Sequence, residues 1–396
     1  MIECDVLVVG AGPAGSSAAR AAAMRGAKTI FIDKKKEVGV PVQCAEGIGK
    51  YLFPYLPFKI PKSQLKWRID GVLFNSGNIT IERRGRFWEG YTIDRSSFDK
   101  YLSNLAINSG AKLMIKSELI EFKFDKDRNV KRAILKVNKR RTKEIKPKLI
   151  IGADGAESKV LDLIHKYKPK KGDVATVHSW EMKNLKLKNP HFEHIYMGDF
   201  SPSGYAYIFP KSKDSANVGI GHIYPEENDE ENKKLEDFFY NFLEEESLKN
   251  QFKDATFVIE KSGKAVIGNI VDEWIHGNVL LVGEAANHNL KPFVEGILPS
   301  IISGNLAGEI STRMIKGENI LMKNYLDSVE KLLNPHFRLS TKLIDILKRI
   351  YAMKTKEKHL LFCGIASGLF ELERLDELES ASYEVLEESL LMQQNR

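Results

Sequence analysis

The sequence is poor in cysteine, in long apolar runs and in excess charge. Cys4, Cys44 and Cys363 are its only cysteines, so no disulfide framework is expected and a reducing, intracellular setting is indicated. No apolar run approaches the roughly 18 residues that a membrane-spanning helix needs, and the N-terminus has no signal-peptide pattern. We therefore expect a cytoplasmic protein that meets a membrane, if at all, peripherally at its inner face.

The excess of basic residues is also small. A formal net charge of +7 over 396 residues is too weak to indicate nucleic-acid binding, although it is compatible with an anionic membrane surface or an acidic substrate. No spacing of residues indicates a metal site. With 43% hydrophobic and 29% charged residues, the composition is that of a globular protein, and the length predicts roughly two or three domains.

A glycine-rich turn follows the first predicted strand. Residues 6–9 form a short β-branched run, typical of a buried parallel strand, and lead into Gly10, Gly12 and Gly15 with the spacing G-x-G-x-x-G. The first glycine permits a tight turn, the second lets a pyrophosphate approach the backbone, and the third lets helix and sheet pack closely. The alanine-rich residues 14–25 then predict a helix whose free N–H groups point at the same ligand.

A second strand, predicted over residues 29–32, ends on Asp33, whose carboxylate can accept hydrogen bonds from ribose hydroxyls. The three lysines at 34–36 could recognise a 2′-phosphate, but a solvated surface run is the simpler interpretation. The complete unit predicts a dinucleotide site and leaves FAD and NAD both open. No second fingerprint of this kind occurs. If the bound dinucleotide is FAD, a nicotinamide that serves as its electron donor would dock only transiently, and a ferredoxin or another carrier is equally compatible as the donor.

Later segments return to the same sheet. The run at 149–155 ends in a glycine turn with Asp154, and the strand predicted at 279–282 ends on Gly283 and Glu284, before a helix that begins near Ile297. A further helix is predicted over residues 98–109, capped by Asp94 or Ser96, with Arg95 within reach of a cofactor.

These patterns predict an α/β fold with three parts. A Rossmann-like cofactor-binding domain comprises residues 1–66, 94–172 and 264–324, and a β-rich antiparallel substrate domain comprises residues 67–93 and 173–263. The β-rich part is interrupted by a polar helix over residues 226–246, with a solvent-exposed acidic face. Residues 325–396 form a C-terminal helical region with an apolar stripe, which usually packs on the body of the protein; contact with a membrane is the alternative.

Two further segments carry candidate functional residues. The loop over residues 38–50 contains Cys44 and Glu46; a free cysteine is most often a small buried hydrophobe, although this one follows the ribose-binding acid closely. In the strand predicted at 204–210, alternation places Tyr205, Tyr207 and Phe209 on one face. These three aromatic residues could be plain core or could line a long apolar slot.

The motifs GAGPAG, DRSSFD, GADG and GEAA, in this order, resemble those of FAD-dependent oxidoreductases related to aromatic hydroxylases. PVQCAEG at 41–47 and YAYIFP at 205–210 look like the P-x-x-C-G/A-E and Y-x-W-x-F-P motifs of the geranylgeranyl reductase family, which includes archaeal enzymes that saturate the isoprenoid chains of membrane lipids. The resemblance spans about residues 1–330, and the C-terminal helices match no motif.

This resemblance implies FAD as the cofactor and a prenylated lipid or prenyl diphosphate as the substrate. The implied cofactor-binding residues are Gly10, Gly12, Pro13, Ala14, Gly15, Asp33, Lys34, Cys44, Ala45, Arg95, Asp154, Gly283, Glu284, Gly296 and Ile297. Tyr205, Tyr207 and Phe209 would contact the substrate chain. Cys44 and Glu46 are the catalytic candidates, because a proton must accompany the hydride that reduced flavin supplies; an ordered water is the third possible source.

Three residues depart from the family's pattern: Glu284 stands for an aspartate, Val294 for a glycine and Tyr207 for a tryptophan. The first two bear on catalysis. Beside a reductase, the sequence therefore leaves open a non-catalytic flavin- or prenyl-binding homologue. It also leaves open a flavin monooxygenase acting on an aromatic ring, in which Cys44 would have no role.

Overall fold

The computed structural model describes residues 1–165, 172–222, 231–268, 273–353 and 355–395. Its strands, in chain order, are β1 (Ile2–Val9), β2 (Thr29–Ile32), β3 (Gly47–Gly49), β4 (Trp67–Ile69), β5 (Gly71–Ser76), β6 (Ile79–Arg84), β7 (Gly90–Thr92), β8 (Lys112–Met114), β9 (Ser117–Phe124), β10 (Val130–Val137), β11 (Arg141–Gly152), β12 (Val174–Lys183), β13 (Phe192–Met197), β14 (Gly204–Pro210), β15 (Ser215–His222), β16 (Thr256–Val266), β17 (Ile275–His276) and β18 (Val279–Leu281). Its α-helices are α1 (Pro13–Met24), α2 (Arg95–Asn108), α3 (Lys159–His165), α4 (Glu231–Leu243), α5 (Lys249–Phe252), α6 (Ile297–Ile315), α7 (Lys323–Ala352), α8 (Glu357–Ala366), α9 (Leu375–Leu378) and α10 (Tyr383–Gln394).

The first sheet contains the strand that precedes the glycine-rich turn. Its main path runs β17-β18-β11-β1-β2-β8, and β10 and β9 extend it from β11. β1 pairs in parallel with β2 and β11, and β11 pairs in parallel with β18. The carboxyl ends of these four strands therefore meet at one edge, which is where open α/β sheets bind ligands.

Both faces of this sheet are covered. Val6 and Val8 of β1 face the core formed with α1 and α6. Leu7 and Val9 face the opposite core, formed with β9, β10 and α3. A strand that is buried on both faces needs apolar residues at every position, which explains the continuous apolar run at 6–9.

Helices α1 and α6 approach each other closely because small residues line both. A Cβ at Gly304 would lie 2.1 Å from the carbonyl oxygen of Ala14, and one at Gly308 would lie 2.2 Å from that of Ala18. No larger side chain fits at either glycine. The alanine-rich composition of α1 thus serves this contact as well as helix formation.

The second sheet has the strand order β16-β12-β15-β14-β13-β5-β6, and it is antiparallel except between β13 and β5. Helix α4 packs on one face, to which it contributes the buried Phe239 and Phe242. The opposite face carries Tyr207 and packs against α7 and α8. The C-terminal helices therefore cover the face that holds the aromatic residues of β14.

A small third sheet, β3-β7-β4, joins the loop of Cys44 to the segment at 67–93. Strands β4 and β7 lie in the segment predicted to belong to the β-rich domain, yet β7 pairs here with β3 on one side and with β4 on the other. The domain boundaries given above stay a prediction. The class of fold, α/β with a β-rich antiparallel part and a helical C-terminal region, is confirmed.

Most predicted elements occur at the expected residues, with two differences. Helix α2 begins at Arg95 instead of residue 98, because the Asp94 carboxylate accepts a hydrogen bond from the backbone N–H of Ser97 and caps it there. Within the polar helix predicted at 226–246, residues 231–243 are helical, and 226–230 lie outside the described residues. This helix is amphipathic, since Phe239 and Phe242 are fully buried beneath its acidic face.

Along the described ranges of the chain, no helix is both long and apolar enough to cross a bilayer. The predicted apolar stripe of the C-terminal region lies on α7, where Ile344, Leu347 and Ile350 are buried. The stripe packs on the body of the protein, as the sequence predicts.

Candidate active site

The glycine-rich turn between β1 and α1 has a distinct requirement at each glycine. Gly10 has a φ of +105°, and a Cβ there would lie 2.3 Å from the carbonyl oxygen of Ala153. A Cβ at Gly15 would lie 1.9 Å from the carbonyl oxygen of Gly10. At Gly12 a Cβ would meet nothing within 4 Å, so this position faces open space at the N-terminus of α1.

That open space is suited to a phosphate group. Pro13 and Ala14 form the first turn of α1, whose N–H groups and dipole favour an anion. Asp33 lies beside the same turn, because its Oδ2 accepts a hydrogen bond from the N–H of Ala11 at 3.0 Å. The exposed Lys34 follows it at the surface. The adenosine half of a dinucleotide fits this edge of the sheet.

The turn after β18 rests on the same helix. Gly283 has a φ of +60°, and a Cβ there would lie 2.7 Å from the Cβ of Ala14. The Oε1 of Glu284 accepts a hydrogen bond from the N–H of Val266 at 3.2 Å, and burial raises the pKa of Glu284. Gly296 and Ile297 stand at the start of α6.

The loop that joins this turn to α6 contains buried polar atoms without a hydrogen-bond partner among the described residues. They are the side-chain carbonyl oxygens of Asn287 and Asn289 and both ring nitrogens of His288. Buried polar groups are normally paired, at a cost of about 1–3 kcal/mol when they are not. The open cradle at Gly12 and these unpartnered atoms both fit a bound FAD.

Arg95 and Asp154 have protein partners of their own. The guanidinium of Arg95 makes a bidentate pair with Asp99, with both N···O distances at 2.8 Å. Although burial opposes the charge, Asp99 holds the pKa of Arg95 above its usual range. The Asp154 carboxylate accepts hydrogen bonds from Ser158 and from two N–H groups of α3. Their roles toward the middle of the cofactor stay predictions.

Cys44 lies half-buried in the loop between β2 and β3, and its Sγ accepts a hydrogen bond from the N–H of Glu46 at 3.2 Å. Glu46 has a φ of +73° and is 1% exposed. Its Oε1 accepts a hydrogen bond from the N–H of Arg95 at 2.7 Å. The Cys44 loop is thereby attached to the N-terminus of α2.

The other oxygen of the same carboxylate reaches the second sheet. Oε2 of Glu46 accepts hydrogen bonds from Lys211, Asn217 and Lys261 at 2.8, 2.8 and 2.9 Å. The Oε2 of Glu181 in turn accepts a hydrogen bond from Lys211 at 2.8 Å. We refer to Glu46, Glu181, Lys211, Asn217 and Lys261 as the Glu46 cluster. Burial alone would raise the pKa of Glu46, but Lys261 and Lys211 hold this pKa below its usual range.

The three aromatic residues of β14 share one face, as predicted. The ring centroids of Tyr205 and Tyr207 are 6.4 Å apart, and those of Tyr207 and Phe209 are 5.1 Å apart. Phe293, from the loop before α6, and Phe362 of α8 lie 5.8 and 6.3 Å from Tyr205. These aromatic rings therefore form a wall between the cofactor-binding sheet and the C-terminal helices.

Glycines on β15 and β16 keep space beside this wall. A Cβ at Gly219 would lie 2.4 Å from the hydroxyl oxygen of Tyr207 and 2.5 Å from the Cβ of Ser179. Gly263, farther along the same face, lies next to Gln43, which is adjacent to Cys44. The face thus runs from the aromatic residues to the Cys44 loop.

Sequence reasoning missed the partners of Glu46 and one pair of acids. Lys211 directly follows the YAYIFP motif, and this position was the only signal in the sequence for a partner of Glu46. Asn217 and Lys261 lie on other strands.

The pair of acids is Glu193 of β13 and Glu295. The Glu295 carboxylate accepts hydrogen bonds from Gly49 and Tyr51. Burial, and then the charge of Glu295, raise the pKa of Glu193 to about 8.

Glu193→Gln is expected to flatten the pH dependence of stability. The folded chain holds a proton on Glu193 from about pH 4.5 to about 8, which the unfolded chain releases near pH 4.5. The free energy of unfolding of the wild type therefore falls as the pH rises through this interval, by at most about 1.4 kcal/mol per pH unit. Urea unfolding at several pH values measures the slope. The exposed Glu118→Gln is the control, and equal slopes in wild type and Glu193→Gln would contradict the prediction.

Val294 is a β-branched residue with a φ of +55°, a conformation that favours glycine. Val294→Gly and Val294→Ala both remove its contacts with the core, but only glycine relieves the backbone. We expect the glycine variant to be more stable than the alanine variant by about 1 kcal/mol, the reverse of the usual order. Thermal and denaturant unfolding would test this. If Val294→Ala were more stable than Val294→Gly, the backbone at residue 294 would not be strained.

The fold and the cradle at Gly12 define an FAD-dependent oxidoreductase, and comparisons with known proteins agree. The model of FAD-dependent oxidoreductases matches residues 5–156, and the model of the geranylgeranyl reductase catalytic domain matches residues 173–266. A digeranylgeranylglycerophospholipid reductase from Methanococcus aeolicus is 33% identical over 96% of this chain and 93% of its own. Digeranylgeranylglycerophospholipid reductase 3 from Methanosphaera stadtmanae is 34% identical over 87% of each chain.

Among solved structures, a geranylgeranyl bacteriochlorophyll reductase-like protein from Thermoplasma acidophilum superposes with a TM-score of 0.81 at 25% identity, covering 99% of this chain and 100% of its own. The chain belongs to the geranylgeranyl reductase family. The resemblance inferred from the motifs is confirmed, as is FAD as the cofactor. The roles of the individual site residues stay predictions.

Proposed function

We propose that this chain uses reduced FAD to saturate the double bonds of geranylgeranyl chains in archaeal membrane-lipid precursors. The relatives named as digeranylgeranylglycerophospholipid reductases support this substrate class. The observation that carries the proposal is the placement of Cys44. Its loop joins the carboxyl edge of the FAD-binding sheet to the face of the second sheet that bears Tyr205, Tyr207 and Phe209.

Saturating a double bond adds a hydride and a proton, and an isolated double bond is difficult to reduce because no carbonyl group stabilises the developing charge. Bound reduced FAD supplies the hydride. The protein must supply the proton and exclude water from the reacting carbon atoms. Tyr205, Phe209 and Phe293 are only partly buried, so the aromatic wall offers an apolar surface for an isoprenoid chain.

Of the two candidate proton donors, the geometry favours Cys44. The Glu46 carboxylate is held ionised by two lysines and accepts hydrogen bonds at both oxygens, so it has no proton to give. The thiol of Cys44 has the N–H of Glu46 and the side chain of Arg95 as partners, and because both are donors its own hydrogen stays available. We assign Sγ of Cys44 as the atom that holds the transferred proton.

Co-expression with a pathway that makes digeranylgeranyl lipids tests the proposal. Mass spectrometry of the extracted lipids should show a gain of two hydrogen atoms for each reduced double bond, and a Gly12→Val variant should give none. Unchanged lipid masses, with an FAD-loaded protein present in the cells, would refute the substrate class.

A non-catalytic flavin- or prenyl-binding protein is the second candidate, favoured by the positive φ of Val294 and by the engagement of Glu284 with Val266. Photoreduced protein mixed anaerobically with prenyl lipid separates the two. A reductase reoxidises its flavin with this substrate, whereas a binding protein does not. The same experiment, started with NAD(P)H or with reduced ferredoxin in place of photoreduction, identifies the electron donor. Because the proposed substrate is a lipid, we also propose that the protein contacts a membrane peripherally.

A further inference from the structure

The Glu46 cluster is a set of buried charges that no step of the proposed reaction uses. Glu46 is 1% exposed, Lys211 6%, Lys261 4% and Asn217 0%. Burying ionised groups is costly unless each is paired and hydrogen-bonded. A cluster of this kind, at the junction of two sheets, calls for a role beyond packing.

The four charges balance within the cluster. Lys211 contacts Glu46 and Glu181, with both N···O distances at 2.8 Å, and Lys261 contacts the same two carboxylates at 2.9 and 3.7 Å. Asn217 completes the arrangement, since its Oδ1 accepts a hydrogen bond from Lys261 at 2.7 Å. Two lysines thus face two glutamates, and only Glu46 belongs to the Cys44 loop.

Lys211 at the end of β14, residues of β15 and β16, and the start of α2 all hold the same short segment. Besides the four bonds to the Glu46 carboxylate, the Nδ2 of Asn217 donates to the carbonyl oxygen of Ala45 at 2.8 Å. The N–H of Ile93 donates to the carbonyl oxygen of Glu46 at 2.9 Å. Glu46 itself, at a φ of +73°, directs its N–H to the Sγ of Cys44.

We propose that Glu46 is a positioning residue, a fixed anion through which the lysines of the second sheet hold the Cys44 thiol at the edge of the FAD-binding sheet. This inference rests on the proposed function of Cys44, and it gives Glu46 a different role from that of an acid catalyst. The charge of Glu46 is needed because its Oε2 accepts from three donors at once.

Glu46→Gln tests the requirement for charge. Either orientation of the amide places its NH₂ group against a donor: Arg95 N–H in one, the lysines and Asn217 in the other. The loop should be released and the thiol exposed. Cys4 and Cys363 are 5% and 0% exposed, so alkylation of the folded protein by iodoacetamide reports Cys44.

We expect Glu46→Gln to raise the alkylation rate of Cys44 by at least about tenfold. Single-turnover reoxidation of reduced flavin by prenyl lipid should slow by a similar factor in FAD-loaded protein. Glu181→Gln is the matched control, because it removes a carboxylate from the same lysines but no contact of the Cys44 loop. It should leave the alkylation rate within about threefold of the wild-type value. Cys44→Ala shows the background of the assay.

If Glu46→Gln fails to fold, a double variant still tests the inference. The double variant Glu46→Gln with Lys261→Met leaves one lysine facing one carboxylate. The charges then balance again, but the ionic contacts between residue 46 and the second sheet are still missing. It should fold and still show rapid alkylation. Wild-type alkylation in the double variant, or equal alkylation in Glu46→Gln and Glu181→Gln, would overturn the inference. Because alkylation needs no turnover, failure of the reductase proposal alone would leave this result unchanged.

Discussion

Cys44→Ala is expected to slow the reoxidation of reduced flavin by prenyl lipid by roughly 10²–10⁴-fold, the usual effect of removing a general acid. The substitution removes the proton held at Sγ and little volume. FAD content and melting temperature should stay near those of the wild type, because the thiol makes only weak hydrogen bonds, with the N–H of Glu46 and with Arg95, and Arg95 keeps its bidentate pair with Asp99. Anaerobic stopped-flow measurement of a single turnover isolates this step from the unidentified electron donor.

Cys44→Ser is the companion variant, because a hydroxyl keeps a proton but is a much weaker acid than a thiol. It should also bind FAD and turn over slowly. If Cys44 served packing alone, both variants would lower the melting temperature and preserve turnover per folded molecule. Wild-type rates in both would remove Cys44 from the mechanism, and the neutral carboxyl group of Glu193 would become the next candidate.

Gly12→Val is expected to abolish FAD binding while leaving the fold intact. A Cβ at Gly12 meets no protein atom within 4 Å and the φ of −72° suits any residue, so the free energy of unfolding of the apoprotein should change by no more than about 0.5 kcal/mol. The same side chain would occupy the approach of the pyrophosphate. We expect the Kd for FAD to rise at least about 100-fold, as measured by reconstitution and flavin absorbance.

Gly15→Ala provides the contrast three residues later. Its Cβ would lie 1.9 Å from the carbonyl oxygen of Gly10, so this variant should lose about 1–3 kcal/mol of stability or more before any effect on the cofactor. The two glycines therefore separate ligand binding from packing within one motif. Stoichiometric FAD in Gly12→Val would contradict the assignment of this turn to the pyrophosphate.

Much of the cofactor-binding half could be predicted because its contacts are local in sequence. The strand–glycine–helix–strand unit ends at Asp33, and each of its elements is recognisable within a few residues: β2 occupies the predicted 29–32 and α6 begins at the predicted Ile297. The aromatic strand at 204–210 was equally clear, because alternation along one strand fixes which side chains share a face.

The sequence by itself thus determined the class of fold, the cofactor and the family, since short motifs carry the turn and strand geometry that these require. Only the tertiary structure decided what Glu46 does. Its partners Lys211, Asn217 and Lys261 lie 165, 171 and 215 residues away in the chain. No periodicity or motif links them, and their meeting depends on how two sheets and the start of α2 pack together. The acidity of a buried carboxyl group follows from those neighbours, which is why Glu46 is a fixed anion whereas Glu193, beside Glu295, keeps its proton.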